Sequence, residues 1–575
     1  MGLSYQVWCL MVLSYMMSLK GAEAQFPHAC TKPEALQTRV CCPLWNGSPC
    51  GFNSGRGVCA PHPAKDLPKP VDYRVNWPRA FYDSVCTCWG NYDGFDCSQC
   101  LPGWRGPMCM QRHHVERKEI TDLTDSERDT FLSNLHQAKQ TTSSRYTILT
   151  SNDTTVDGNY VFHNTSVYDL YVWMHYYSAK SYAGSEKNAA HRGPAFIFWH
   201  RVFLLFIERE IRELTGNQGF YIPYWDWTRT KDCNICTNKY FGGVGKDGRI
   251  DSASPFSKWK TICPFQESLD IICIQSASGH LIRNPGKDPL YKTLPTAGDV
   301  EDTMAMPLFD TPPFDKTSKN SFRNKLEGFE IPVDSRRLNN SMHNLVHRYL
   351  NGTMSLVPTA ANDPIFMLHH SFIDKLLEKW LQDHSEATYP DSDLVHPAQR
   401  AQAYMAPFLP LRTNDYFWGR DTYSLGYSYS EHSLPRSGAG HNVAKHDESR
   451  HNSKMNMRTS YLEESSTSGV QWQWPVVGVF SIVLLCVSVG AAIKCSGKKQ
   501  STQDGPTEEK DSGLDYRSNP LYGVWVKEES GTSDKSFSSM DVASCATHLH
   551  NAAPRASSEG RADNQESAVN VEVQL

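Results

Sequence analysis

Apolar residues recur at helical spacing in several stretches of this chain, and histidines sit on the apolar faces. After His200 the stripe continues through Leu204, Ile207 and Ile211, the three-to-four-residue repeat of an amphipathic helix. After His370 it runs through Ile373, Leu376, Leu377 and Trp380, with Asp363 and Pro364 upstream as N-cap and first-turn proline. His175 lies in YDLYVWMHYY, whose aromatic density suits a buried helix. His343 and His347 are four apart, so a helix projects both imidazoles from one face, one turn from each other. His191 alone falls in an irregular stretch, HRGPA, with glycine and proline. The pattern predicts a mainly α fold with a four-helix bundle around a shared site.

Composition changes the weight of that pattern. The chain has 22 histidines, so one buried histidine would be unremarkable. Two matched sets on apolar faces, His175, His191 and His200, then His343, His347 and His370, are different. Burying six imidazoles without partners is expensive, and neutral imidazole is a usual ligand for copper, zinc and iron. The residues predict two metals side by side and leave the element open. At 575 residues the chain exceeds one typical domain, and 39% hydrophobic with 11% aromatic residues suffice for a packed core. A net charge of −5 gives no sign of nucleic-acid binding.

The flanks predict the compartment. Residues 1–24 read as a signal peptide, with Ala22 and Ala24 at the cleavage site and Gln25 as the new N-terminus. Residues 475–493 form an uncharged apolar run of 19 residues, preceded by Trp472 and Trp474 and followed by Lys494, Lys498 and Lys499. That is long enough to span a bilayer once, as a transmembrane helix, with the lysines on the cytosolic side. Residues 113–430 then form the catalytic domain, 431–474 a polar flexible stem containing His432, His441, His446 and His451, and 494–575 a disordered cytosolic tail. In the tail, Asn519-Pro520-Leu521-Tyr522 matches an NPxY-type sorting signal read by adaptor proteins.

Cysteines point the same way. Ten lie in residues 25–112 (Cys30, Cys41, Cys42, Cys50, Cys59, Cys86, Cys88, Cys97, Cys100 and Cys109), and CTCWGNYDGFDCSQCLPGWRGPMC resembles an EGF-type module. Disulfides staple a segment too small for its own core. Cys233 and Cys236 have the spacing of a zinc half-site but no second pair beside them, which favours a local disulfide, and Cys263 with Cys273 is the remaining expected bridge. Sequons at Asn46, Asn152, Asn164, Asn339 and Asn351 all lie on the expected lumenal side.

HRGPAFIFWHRVFLLFIERE, IPYWDW, SFRNKLEGF, MHNLVHRYLNGTMS and NDPIFMLHHSFIDKLLEKW resemble the copper-A and copper-B regions of the animal melanogenic tyrosinase family. The resemblance runs over about residues 25 to 425. It implies type-3 copper chemistry: two copper ions bind dioxygen, a monophenol is hydroxylated ortho to its hydroxyl, and the catechol is oxidised to an o-quinone. It implies a small phenolic substrate, melanin synthesis and a melanosomal membrane location, type I with the catalytic domain lumenal. A glutamate and the asparagine after the first copper-B histidine hold a water that takes the phenol proton in this family; here they are Glu327 and Asn344. Val357 and Ala360 are expected at the substrate mouth, with His369 bordering the pocket, and Asp374 either orients an imidazole or faces solvent. His369-His370 is the tyrosinase pattern, where the dopachrome tautomerase branch carries leucine and is associated with zinc. LFDTPPF at 308–314 looks closer to the related branch, and HRG departs from the usual HEA or HEG. A zinc tautomerase and a non-enzymatic receptor or scaffold are the competing classes, and metal analysis separates them.

Overall fold

The helices form where the apolar stripes lie. The computed structural model describes residues 25–67, 72, 74–153, 159–182, 187–263, 279–330 and 339–431. The signal-like run, the apolar run at 475–493, nearly all of the stem and the whole tail lie outside the described residues, as does Cys273. Among the described residues no helix is long and apolar enough to cross a membrane.

Eight α-helices are described: α1 Pro33–Thr38, α2 Asp125–Gln140, α3 Val167–Ala179, α4 Phe196–Thr215, α5 Ala297–Met304, α6 Phe322–Glu327, α7 Met342–Leu350 and α8 Ile365–Asp383. Helix α3 starts at Ser166, whose hydroxyl accepts from the Asp169 amide, and every residue after that but Asp169 is buried. A helix buried all round needs no stripe, and apart from Asp169, His175 and Ser178 its sequence is aromatic and aliphatic. Helix α4 ends at Gly216 in the left-handed conformation, φ 70°. Helix α8 begins one residue later than the capping pattern predicts. Asp363 still caps it, accepting the Ile365 amide at 3.0 Å, while its two oxygens hold Arg283 at 2.5 and 2.9 Å. Helix α4 packs on α3 and on α8, and α7 packs on α8.

The short strands lie around this core. Gln25–Pro27 pairs antiparallel with Tyr146–Asp153, which pairs antiparallel with Asn159–His163. The cysteine-rich part has its own sheet of Val40–Cys41, Ser84–Cys88 and Gly57–Pro61. Its disulfides join Cys30 to Cys41, Cys42 to Cys59, Cys50 to Cys86, Cys88 to Cys97 and Cys100 to Cys109. Cys233 is joined to Cys236, and Cys263 is also disulfide-bonded. This part is fastened to α4 by polar contacts: Asp93, 0% exposed, pairs with Arg209 at 2.6 Å and with Arg412. The Gln99 amide donates to Glu210 and Glu213.

Beneath the histidines lies a buried ionic network. Asp374 on α8 accepts from Arg201 on α4 at 2.5 Å, from Arg117 at 3.3 Å, and from the hydroxyls of Tyr427 and Tyr429 at 2.7 and 2.6 Å. Arg117 also pairs with Glu208, and Arg201 with Glu378. The parallel pair Val115–Arg117 and Tyr427–Tyr429 thus ties both ends of the helical part to α4 and α8.

Candidate metal centre

The helices deliver His175 from α3, His200 from α4, His343 and His347 from α7, and His369 and His370 from α8, while His191 comes from the loop before α4. All seven are at least 95% buried. Candidate ligand nitrogens of His175, His191 and His200 lie within 4.8 Å of one another. In the second cluster the Nε2 atoms of His347 and His370 lie 3.0 and 3.3 Å from His343 Nε2. His369 also falls inside that cluster, its nitrogen within 4.8 Å of those of His343 and His347. The two clusters adjoin: the His200 and His370 rings stack with centroids 4.1 Å apart. Phe366 packs between them, 4.7 Å from His175 and 4.2 Å from His370.

Four rings have an oxygen acceptor beside Nδ1. His200 Nδ1 faces the Phe196 carbonyl at 2.7 Å, His347 Nδ1 the Met354 carbonyl at 2.9 Å, His191 Nδ1 the Asn188 Oδ1 at 3.2 Å, and His343 Nδ1 the Asn344 Oδ1 at 3.0 Å. An N–H at each Nδ1 leaves each Nε2 with a lone pair for a metal. His200 Nε2, His370 Nδ1 and both nitrogens of His175 have no hydrogen-bond partner of ordinary geometry, the Pro358 carbonyl interacting only weakly with His175. Buried, unpartnered imidazole nitrogens converging in two triads fit a pair of metal ions. Burial also pushes the six down from their ordinary value, His200 to about 3 and His347 to about 4. The rings are neutral and able to ligate at physiological pH.

His191 is set in place by residues remote in sequence. Gln399, fully buried, donates from Nε2 to the carbonyls of Asn188 and His191 at 2.6 and 2.8 Å and accepts the Ala195 amide at 3.2 Å. Gly193 makes room for it: a Cβ there would lie 2.2 Å from Gln399 Oε1.

Glu327 ends α6 and is buried. One oxygen accepts the Arg192 amide at 2.6 Å, the other Arg323 at 3.1 Å. Burial outweighs these contacts and raises its carboxyl to about 7. Gly328, at φ 103°, follows because a Cβ there would meet the Ser341 carbonyl at 2.1 Å. That close approach brings Glu327 to the start of α7, where its own carbonyl lies 3.2 Å from His343 Nδ1. Asn344 Nδ2 is buried with no partner.

One expectation is corrected, that for Asp374. Asp374 neither orients an imidazole nor faces solvent; it is 2% exposed and fully engaged by Arg201, Arg117 and two tyrosines. Cations and hydroxyls outcompete a neutral ring for a buried carboxylate. Of the residues expected at the substrate mouth, Val357 lines the small cavity among His175, His191, His343, His347 and Phe366, and Ala360 is 0% exposed. His369 is 0% exposed; its ring stacks on His343 and its Nδ1 takes the Trp227 indole N–H.

The common central domain of tyrosinase matches residues 165–383. Tyrosinase of Bos taurus is 39% identical over 449 residues, 73% of this chain and 84% of that protein. The chain belongs to the tyrosinase family. The 5,6-dihydroxyindole-2-carboxylic acid oxidase of Ambystoma mexicanum is 37% identical, over 72% of this chain and 84% of that protein. A polyphenol oxidase structure from Thermothelomyces thermophila is 18% identical and covers 55% of this chain and 89% of that one, at a TM-score of 0.40. The family makes the cofactor a pair of copper ions and dioxygen the co-substrate. The close backbone approaches at Gly193 and Gly328 were not legible in the sequence, although both glycines lie inside quoted family motifs. Gln399 and Asn188 carried no sequence signal, and Trp227, though inside the quoted IPYWDW, had no role read for it.

Proposed function

We propose that the chain is a copper monooxygenase and oxidase that hydroxylates a monophenol such as tyrosine ortho to its hydroxyl and oxidises a catechol such as dopa to the o-quinone, initiating melanin synthesis. For a monophenol, each dioxygen consumed puts one oxygen atom into the ring and releases the other as water. The observation that carries this reading is the pair of adjoining buried histidine clusters, most of whose Nδ1 atoms face oxygen acceptors. In this reading His175, His191 and His200 hold one copper, and His343, His347 and His370 the other. The bound pair supplies dioxygen binding and the two-electron chemistry.

The chain's other residues handle the phenol. A free phenol has a pKa near 10, so a base must take its proton before it can bind as phenolate. Glu327 and Asn344 hold a water for that purpose: the carboxylate is poised near neutrality, and the Asn344 amide has a donor to spare. Val357, which lines the small cavity among the histidines, and Ala360 stand at the substrate mouth in this reading, with His369 bordering the pocket.

The catalytic part is lumenal, behind an EGF-like module at residues 25–112, and a single span at 475–493 anchors it in the melanosome membrane as a type I protein. Asn46, Asn164 and Asn339 are exposed and Asn351 half-buried; these four and Asn152 carry glycans, which fits the disulfide-bonded compartment. The tail recruits cytosolic sorting adaptors through Asn519 to Tyr522.

Metal analysis of the purified chain, together with oxidase assays on tyrosine and dopa, tests the reading. Two coppers and activity on both substrates are expected. Two zincs with dopachrome tautomerase activity and no oxidase activity would overturn it.

A further inference from the structure

Two adjacent histidines on α8 reach the second cluster, and a three-imidazole site takes one of them. His370 Nε2 is 3.3 Å from His343 Nε2, and a nitrogen of His369 lies within 4.8 Å of those of His343 and His347. Distance does not separate the two. Their surroundings do. The Trp227 indole, a donor with no acceptor capacity, gives its N–H to His369 Nδ1 at 3.2 Å, and both side chains are 0% exposed. A neutral imidazole carries one N–H and one lone-pair nitrogen. With Nδ1 accepting, the proton sits on Nε2, and neither nitrogen has a lone pair left for a metal. Nε2 has no hydrogen-bond partner of ordinary geometry. His370 has no such donor on it: its Nδ1 is unpartnered.

The indole is not free to turn away. The Trp225 amide donates to the Leu368 carbonyl at 3.1 Å, pinning the segment to the residue just before His369. Asp226 caps the single turn Trp227–Arg229, accepting the Thr228 amide at 3.1 Å and hydroxyl at 2.6 Å. The indole ring meets Phe372 edge-on at 4.9 Å. We propose that Trp227 is a positioning residue that withholds His369 from the second metal, so that His370 alone completes that triad. This rests on the assignment of the six histidines as copper ligands.

Copper per chain, counted in four full-length proteins, tests it. Wild type and Trp227→Phe are each expected to hold the full pair, and His370→Ala about one copper, because two imidazoles bind poorly. The double variant Trp227→Phe/His370→Ala is expected to regain the second copper through the released His369. A gain of metal is not something mere loss of packing produces. A full pair in His370→Ala alone, or no regain in a folded double variant, overturns the inference. Less than a pair in wild type would instead sink the ligand assignment itself. Should the double variant fail to fold, the histidine-labelled, copper-free full chain decides. Its imidazole 15N spectrum must contain an Nε2-protonated resonance that disappears in His369→Leu, and a His369 proton on Nδ1 overturns the inference.

Discussion

His347 shows how much rests on single side chains at this site. It carries one of the three Nε2 atoms of the second cluster and is oriented by the Met354 carbonyl. His347→Ala is expected to abolish oxidase activity and remove about one copper per chain; full activity would refute its place in the triad. In the proposed function Glu327 acts on the proton, not the metal. Glu327→Gln preserves shape but cannot accept the phenol proton, so tyrosine hydroxylation should fall by at least about tenfold, more than dopa oxidation, at unchanged copper. With its carboxyl at about 7, the wild-type hydroxylation rate should rise as pH passes through neutrality and the base form fills. The Gln variant should lack that limb. Equal losses on both substrates would make Glu327 a structural residue.

The element that needs most help is the loop bearing His191, since no helix orients it. Gln399 does so with three hydrogen bonds to its backbone. Gln399→Ala leaves buried backbone groups unpaired, each costing about 1–3 kcal/mol. The expected outcome is weaker copper binding at the first triad, recovered in part by excess copper because all three imidazoles remain. Unchanged copper affinity in a titration would show that the loop holds its shape unaided. Helices α4 and α8 are joined differently, through Asp374 and the two arginines it satisfies. Such a buried network disciplines the fold only while complete, because an orphaned guanidinium in the core is costly.

For the whole molecule, the copper-free chain should be sensitive to acid. The buried histidines have folded values below the ordinary 6.5, His200 at about 3 and His347 at about 4, so between about 4 and 6.5 the unfolded chain binds more protons. Their contribution is therefore present above about 6.5 and lost as pH falls, on the order of 2 kcal/mol for His200 and for His347 by about pH 5. Melting temperatures of the copper-free chain at pH 7 and 5 should show the fall, and copper should reduce it; a copper-free chain equally stable at both would contradict the buried, neutral state of these rings. The last strand of the described core, Tyr427–Tyr429, is tied to Asp374. A chain ending before Trp472 keeps that strand and every proposed ligand, and is expected to be secreted as soluble, glycosylated, active enzyme. Its recovery in the membrane pellet would mean that the anchor lies elsewhere.

The positions of the helices, and the histidines they carry, were legible in the sequence because helical periodicity acts over three or four residues. His343 and His347 share a face whatever lies around them, and an apolar stripe after His200 or His370 can only face inward. Cysteine spacing likewise announced a stapled N-terminal part. What lies across the fold was not legible. Gln399 bonds His191 from 208 residues away, Arg117 meets Asp374 over 257, and Trp227 reaches His369 over 142. No local pattern encodes those distances. Asp374 therefore read as an imidazole partner or a surface carboxylate, although it is the hub of a buried ionic network. The sequence put His370 at the head of an apolar stripe and His369 beside the pocket, but it did not show that a tryptophan from another segment donates a hydrogen bond to His369 and to none of the nitrogens of His370.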